Sequence, residues 1–586
     1  MKNLNSSLSA LNKYFVRYKK KLFLGIACII ISNVMQVYIP LLLKNSIDAL
    51  KENPSTYLIA RNAILIVATS AVAGVFRFLI RQTIIVFSRD VEYDLRQDFW
   101  EHIQKLPLRF FQNNSTGNIM AHATNDIGAV RMYVGPAVMY SIDTGTKFIV
   151  VITIMFTLSW HLTILTLIPL PILSFFVYHL SKKIHKKFTR IQEKFSELTT
   201  RAQENFSGIR VIKSYVREDY EIEGFTKLSR DYLKKNMEKV RIQALFQPVL
   251  YMTAGLSTII VVWIGGKMVI EGTMTIGTIT AFIAYLVMLI WPMIAFGWVA
   301  NIVQQASASM KRLQKIFNEP YEIADSKITN NAITSIEGEI EFENVSFRYR
   351  DVLPWVLRNI NMKIEKGQTA AFIGHTGVGK TSLVNLIPRL YDVVEGKVLI
   401  DGNDVREIPL QILRANIGLV PQETFLFSDT LANNLVYGLD NHDGSLVEKV
   451  ADISQLTKDV ETFPLGFETI LGEKGITLSG GQKQRSTLAR ALATNPKILI
   501  LDDSFSSVDT HTEEEILKRL RQFMKERTSI IISHRISTVK DADKIFVLHN
   551  GAIVETGNHD ELVALGGIYA DMNFKQLLEE ELKEID

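Results

Sequence analysis

Hydrophobic runs too long for a globular core dominate the first half of the chain. Positions 22–43, 242–266 and 272–310 carry no charged residue, and about 20 apolar residues in helix suffice to cross a hydrocarbon core. A fourth uncharged run, 148–181, is interrupted by Ser159-Trp160-His161. Polar and amphipathic residues of that kind favour a membrane surface, so this run reads as a hairpin of two helices. The run 58–88 is interrupted by Arg77 and Arg81. The pattern predicts six spans, at 22–43, 58–88, 134–159, 161–181, 242–270 and 273–303.

The stretches 89–133 and 182–241 are polar but keep a helical apolar spacing, as in Arg190-Ile-Gln-Glu-Lys-Phe-Ser-Glu-Leu. They read as helical extensions of the spans beyond the bilayer. Ser115-Thr116-Gly117-Asn118 and Ser214-Tyr215-Val216-Arg217-Glu218-Asp219 are candidate turns at their tips. Near Ser335 the pattern changes. Ile340-Glu-Phe-Glu-Asn-Val-Ser-Phe alternates as a half-buried strand, and Ala370-Ala-Phe-Ile and Ile498-Leu-Ile-Leu are short buried ones. The expected fold class is an all-α six-helix transmembrane domain, residues 1–320, followed by an α/β domain, residues 321–586.

Composition narrows this picture further. Apolar residues make up 47% and charged residues 22%, an ordinary average that conceals two unlike halves. Cys28 is the single cysteine and lies in an apolar run, which excludes a disulfide scaffold and a cysteine-rich zinc site. A net charge of +4 gives no reason to expect nucleic acid as a partner. The distribution of Lys and Arg is more informative. Six precede the first span, five lie in 89–131 and sixteen in 182–241, whereas the opposite connections hold only Lys44, Lys51 and Lys267. The positive-inside rule then predicts cytoplasmic N- and C-termini in a cytoplasmic (inner) membrane. The run 22–43 is too long for a cleaved leader.

Charges inside spans are costly and face a bundle interior or a wet cavity. Asp143 and Lys147 stand four apart with the acid first, the order that favours an intrahelical pair, and internal neutralisation is preferred over a substrate contact. Arg77 and Arg81 are expected near the cytoplasmic end, reaching the interface. Pro169, Pro171, Pro248 and Pro292 are candidate kinks.

The second half carries recognisable chemistry. Directly after the strand at 370–373 comes Gly374-His-Thr376-Gly377-Val-Gly379-Lys380-Thr381-Ser382, a GxxxxGK[ST] loop opening a helix. Glycines let successive backbone N–H groups point into a phosphate, the helix N-terminus adds its dipole, Lys380 reaches the β- and γ-phosphates, and Thr381 ligates Mg2+. The strand 498–501 ends in Asp502-Asp503, and a carboxylate there holds Mg2+ directly or through water. Between these elements lies Leu478-Ser479-Gly480-Gly481-Gln482 at the start of a helix, a second anion site for which a single chain has no obvious use.

These motifs in this order resemble those of an ATP-binding cassette (ABC) exporter half-transporter over essentially the whole chain. The resemblance implies ATP as the nucleotide, Tyr349 as the aromatic stacked on adenine, and Gln422 as a residue that senses Mg2+ and contacts the membrane domain. It also implies that Glu473-Lys474-Gly475 meets the coupling helices, that Ser506-Ser-Val-Asp509 crosses the dimer, and that His534 contacts the γ-phosphate. ATP on one chain's phosphate loop would be capped by the LSGGQ of a second, which makes the protein a dimer that switches its cavity between inward and outward access.

One position departs from the family pattern. The glutamate that follows the strand aspartate is here Asp503, one methylene shorter. This resembles the degenerate-site subunit of heterodimeric bacterial multidrug exporters. A heterodimer with a second half-transporter carrying the glutamate is slightly favoured over a homodimer hydrolysing through Asp503. The expected function is ATP-driven export of amphipathic, hydrophobic small molecules or lipids. The alternatives are a lipid-flippase homodimer and an ATP-switched signalling or scaffold protein that does not pump.

Overall fold

The computed structural model describes residues 7–52, 56–440 and 444–585. The chain forms two compact units. Unit one comprises Met1–Ile103 and Gly117–Asn318, and unit two comprises Gln104–Thr116 and Glu319–Asp586.

Unit one is mainly helical among the described residues. Its main elements are α1 (Lys19–Glu52), α2 (Thr56–Ile80) and α3 (Val86–Gln104); α4 (Leu108–Asn113) follows in unit two. The chain continues in unit one with α5 (Val138–Leu158), α6 (Trp160–Leu167), α7 (Pro169–Ser207), α8 (Ile209–Ser214), α9 (Glu218–Gln243), α10 (Phe246–Ile270) and α11 (Ile276–Phe317). Among the described residues, five helical stretches are long and apolar enough to cross a membrane: Lys19–Lys51, Thr56–Gln104, Thr116–Leu158, Glu218–Ile270 and Ile276–Phe317. The segment expected as the fourth span, 161–181, is divided instead between α6 and α7. Ile168 ends α6, and the ring of Pro169, which has no N–H to donate, begins the next helix. The hairpin tip at Ser159 is a helix cap, with its side chain accepting from the Leu162 amide.

Three π turns interrupt the regular helix among the described residues, at Arg81–Ile85, His122–Asp126 and Tyr133–Ala137. Gly135 allows the last of them to pack closely on α3: a Cβ there would stand 2.6 Å from Ser88. Two side chains buried between helices donate to backbone carbonyls. Tyr285 donates its hydroxyl to Val37 O at 2.9 Å, and Asn33 donates to Asp143 O at 3.0 Å. The N-terminal segment docks on α3 through an acidic ladder. Lys21 meets Asp90 at 2.5 Å, Arg17 meets Asp94 at 2.9 Å and Lys13 meets Asp98 at 2.5 Å. The three aspartates are four residues apart and so share one face of the helix.

Structure also joins two features that the sequence kept separate. Arg77 and Arg81, expected at the interface, line one cavity of about 260 Å³ with Asp143, Lys147, Tyr140 and Trp291. Lys147 and Asp143 are 4.0 Å apart within it. A second cavity, of about 320 Å³, has an apolar lining that includes Phe148, Met293 and Phe296.

The tips of the extensions are short helices bounded by breaks. The first is α4, between Pro107 and Asn114, and the second is α8, between Gly208 and Tyr215. Within unit two, α4 contributes Arg109, whose guanidinium is 3.5 Å from Glu322.

The rest of unit two is a pair of sheets with helices. Its strands are β1 (Ile340–Phe347), β2 (Leu357–Ile364), β3 (Thr369–Ile373), β4 (Glu395–Ile400), β5 (Asn403–Asp404), β6 (Ile417–Val420), β7 (Ile498–Asp502), β8 (Thr528–Ile532), β9 (Lys544–His549) and β10 (Ala552–Gly557). One sheet has the order β2-β1-β4-β5 and is antiparallel; the other has the order β10-β9-β3-β8-β7-β6. In the second sheet β9, β3, β8, β7 and β6 are parallel. Every residue of β7 and β8 is buried, as expected for parallel strands covered on both faces. The helices that matter for the site are α12 (Lys380–Leu386), α13 (Gly480–Ala493), α14 (Thr510–Met524) and the C-terminal α15 (Ile568–Ile585).

Candidate nucleotide site

Parallel strands deliver the chemistry to one edge. β8 lies between β3 and β7, in a register that aligns Phe372 and Asp502 with Ile532. The segments that leave these three strands therefore emerge side by side, which is where open α/β sheets bind ligands. They are the glycine loop after β3, Asp502-Asp503 at the end of β7, and Ser533-His534 after β8.

The loop between β3 and α12 needs its glycines for conformation and space. Gly374, Gly377 and Gly379 all have positive φ, of 153°, 87° and 103°. A Cβ on Gly374 would lie 2.3 Å from Leu548 O, so only glycine fits that turn. Lys380 folds back over the loop, donating to Gly374 O at 2.7 Å and His375 O at 3.1 Å. Burial pushes this ammonium below the usual lysine range, against the opposing pull of Asp503 and Asp502. A buried cation whose hydrogen bonds, among the described residues, go to neutral carbonyls is poised to receive a polyanion.

Asp502 is 3% exposed. Burial raises its carboxyl above the ordinary range, against a hydrogen bond from Thr381. Its Oδ1 has no hydrogen-bond partner among the described residues. Asp503 follows at φ 49°, a left-handed conformation that aspartate tolerates better than most side chains. Burial lowers the His534 imidazole from its usual value; Lys380 adds to that shift and Asp503 opposes it. Lys380, Asp502, Asp503 and His534 thus form one electrostatic cluster.

Other predicted residues lie nearby or apart. Tyr349, just beyond β1, shares a 2.7 Å hydrogen bond with Ser382 Oγ in α12 and packs edge-on against Tyr391. Gln422 is exposed in the loop after β6. Glu473–Gly475 is a single 3₁₀ turn with Lys474 at φ 53°. Ser479 caps α13 in a reciprocal pair with Gln482: Ser479 N donates to Gln482 Oε1 at 2.9 Å, and Gln482 N to Ser479 Oγ at 3.3 Å. Gln482 also donates to Asp459 at 2.8 Å. Gly480 and Gly481 lie against Ser507, and a Cβ on Gly481 would sit 3.0 Å from Ser507 O. None of the side-chain hydrogen bonds of this helix start runs to the phosphate loop among the described residues. Asp509 caps α14 by accepting from Thr512 N at 2.9 Å.

A membrane-spanning helical unit joined to an α/β unit that carries a glycine loop and an LSGGQ helix start defines a transport ATPase of the cassette type. Comparison with known proteins agrees. Residues 22–293 match the model of the ABC transporter transmembrane region and residues 357–506 that of the ABC transporter family. The chain belongs to the ABC transporter family. It is 36% identical over 577 residues, 98% of either chain, to a probable multidrug resistance ABC transporter ATP-binding/permease protein, YheI, of Bacillus subtilis. It is 34% identical to the multidrug resistance-like ATP-binding protein MdlA of Escherichia coli, over 98% of this chain and 97% of the relative. An ATP-dependent lipid A-core flippase of Syntrophus aciditrophicus is also 34% identical, over 96% of this chain and 93% of its own. Among solved structures, a bacterial Atm1-family ABC exporter with ATP bound superposes with a TM-score of 0.79 at 25% identity, covering 95% of this chain and 98% of the other. The protein is a multi-pass membrane protein that binds ATP and couples its hydrolysis to export. ABC exporters of this type act as dimers.

Proposed function

We propose that the chain is one half of a dimeric exporter that moves amphipathic small molecules or lipids across the cytoplasmic membrane, with both termini in the cytoplasm. Residues 1–320 are its membrane domain and residues 321–586 its ATPase domain. The observation that carries the substrate reading is the pair of cavities in the membrane unit. One is lined by Arg77, Arg81, Asp143 and Lys147, the other by Phe148, Met293 and Phe296. Charged groups beside apolar surface suit a molecule with a polar head and an apolar body. The multidrug and lipid-flippase names of the relatives point the same way.

In the ATPase domain, Lys380 holds the β- and γ-phosphates while Gly374, Thr376, Gly377, Gly379 and Ser382 shape the loop around them. Tyr349 stacks on adenine. The Oδ1 of Asp502, unpartnered among the described residues, with the Thr381 hydroxyl beside that carboxylate, fits Mg2+, and Gln422 would complete the ligand set. Bound there, Mg2+ neutralises charge on the phosphates. Asp503 orients the attacking water and His534 contacts the γ-phosphate. Ser479, Gly480, Gly481 and Gln482 cap the ATP of the other subunit. The short carboxylate of Asp503 beside an intact LSGGQ favours a heterodimer, in which this chain completes its partner's competent site.

The test is ATP turnover of the purified transporter in lipid vesicles, titrated with amphipathic cations, amphipathic anions and lipids. Stimulation with directional uptake supports export. ATP binding without turnover or transport in the presence of every class would replace the reading with an ATP-switched scaffold.

A further inference from the structure

The turn after β8 is gripped from two sides, by α14 and by the C-terminal α15. On one side stands Glu513 of α14, 3% exposed. It accepts from Thr538 Oγ1 at 2.7 Å and pairs with Arg535. On the other side stands Gln576 of the C-terminal α15. Its Oε1 accepts the Ile536 N–H at 2.7 Å, and its Nε2 donates to His534 O. One side-chain amide thus spans the turn, engaging the carbonyl of His534 itself and the amide two residues on.

Gln576 owes its place to an anchored helix. Glu555 accepts from Ile568 N at 2.6 Å and Tyr569 N at 3.1 Å, satisfying two of the N–H groups that a helix start leaves free. Tyr569 is fully buried and shares a 2.7 Å hydrogen bond with His559. Gln576 lies two turns beyond Tyr569, on the same face of the helix.

We infer that Gln576 is a positioning residue for the nucleotide site: the C-terminal helix fixes the peptide turn that aims His534 at the γ-phosphate. This rests on the reading of the site proposed above. An imidazole on an unclamped turn must be ordered when the nucleotide binds, which costs conformational freedom. ADP has no γ-phosphate, so loosening this turn weakens ATP selectively.

The experiment is photolabelling of this chain, in the purified full-length transporter, by 8-azido-ATP and 8-azido-ADP with Mg2+ at ice temperature. Gln576→Met removes both hydrogen bonds at nearly constant volume. Its half-saturating 8-azido-ATP concentration rises about five- to tenfold, as the loss of roughly one hydrogen bond's net worth predicts. The value for 8-azido-ADP stays within about twofold. Gln576→Glu keeps the acceptor for Ile536 and falls between parent and Gln576→Met. Unchanged ATP labelling in Gln576→Met overturns the inference, and so does a parallel loss of both nucleotides, which marks a merely structural role. Lys380→Ala, run alongside, loses labelling by both; if it retains both, the site reading itself fails and takes the inference with it.

Discussion

The amide of Asp503 donates to the carbonyl oxygen of Ile532 at 2.9 Å, tying the residue after β7 to the last residue of β8. The backbone of the position proposed to orient water is thereby fixed relative to the strand that leads to His534. Only the length of the side chain is left to vary. A catalytic group displaced by about 1 Å can lose on the order of 100-fold in rate. Asp503→Glu should therefore raise steady-state ATPase activity, since its carboxylate comes within about 2.6–3.2 Å of the attacking water. No change would mean that something other than carboxylate reach limits the site.

Asp503→Ala and Ser479→Arg discriminate between assemblies. In a heterodimer whose partner holds the competent phosphate loop, Asp503→Ala leaves most turnover intact, whereas Ser479→Arg nearly abolishes it by crowding the γ-phosphate. In a homodimer both changes stop hydrolysis. Turnover lost with Asp503→Ala excludes the degenerate-site reading.

Lys380→Ala removes the cation that Gly374 O and His375 O now hold. Without its charge on the β- and γ-phosphates, ATP binding at this chain's own loop should be abolished or severely weakened. Equilibrium binding or photolabelling of the purified transporter measures it.

Leu286→Arg tests the membrane assignment of α11. Leu286 is 7% exposed in an apolar cluster with Val37, Val151, Tyr285 and Leu289. A mid-span arginine costs roughly 2.5–3.5 kcal/mol on insertion scales. The membrane yield of the variant should fall sharply, and a normal yield would argue against the span.

Glu555→Ala should loosen the start of α15 by about 0.5–2 kcal/mol, the usual worth of a helix cap. Hydrogen exchange of the amides of Ile568 and Tyr569 reads this directly. Their protection should fall while that of β3 is retained.

Local signals were the legible ones. Long uncharged runs, the GxxxxGK[ST] loop and LSGGQ each depend on neighbours within a dozen residues, so membrane helices and phosphate-binding turns could be read from the chain. The break at Ile168 falls at Pro169, one of the four prolines read as candidate kinks, although the length of its apolar run alone suggests an unbroken span. The joint cavity of Arg77, Arg81, Asp143 and Lys147 depends on helix packing, which no single run encodes. Gln576 carried no signal at all: a polar residue on an amphipathic helix reads as solvated surface until β8 is brought beside it. Tyr349 was placed at the adenine by resemblance, and its bond to Ser382 follows only from the meeting of two sheets.

The π turn at Arg81–Ile85 has a consequence for anyone altering this chain. Each residue of a regular helix advances the azimuth by about 100°. A π turn wraps one more residue into its loop than the regular helix does, so the two sides are out of phase by about one residue. A single helical wheel drawn from Thr56 to Gln104 would misplace either Arg77 or the aspartates at 90, 94 and 98. Deleting one residue within 81–85 would remove the extra residue and restore the regular pitch, leaving the acidic ladder still facing Lys13, Arg17 and Lys21. The small irregularity absorbs one residue, while one continuous rod presents its arginines to one neighbour and its aspartates to another.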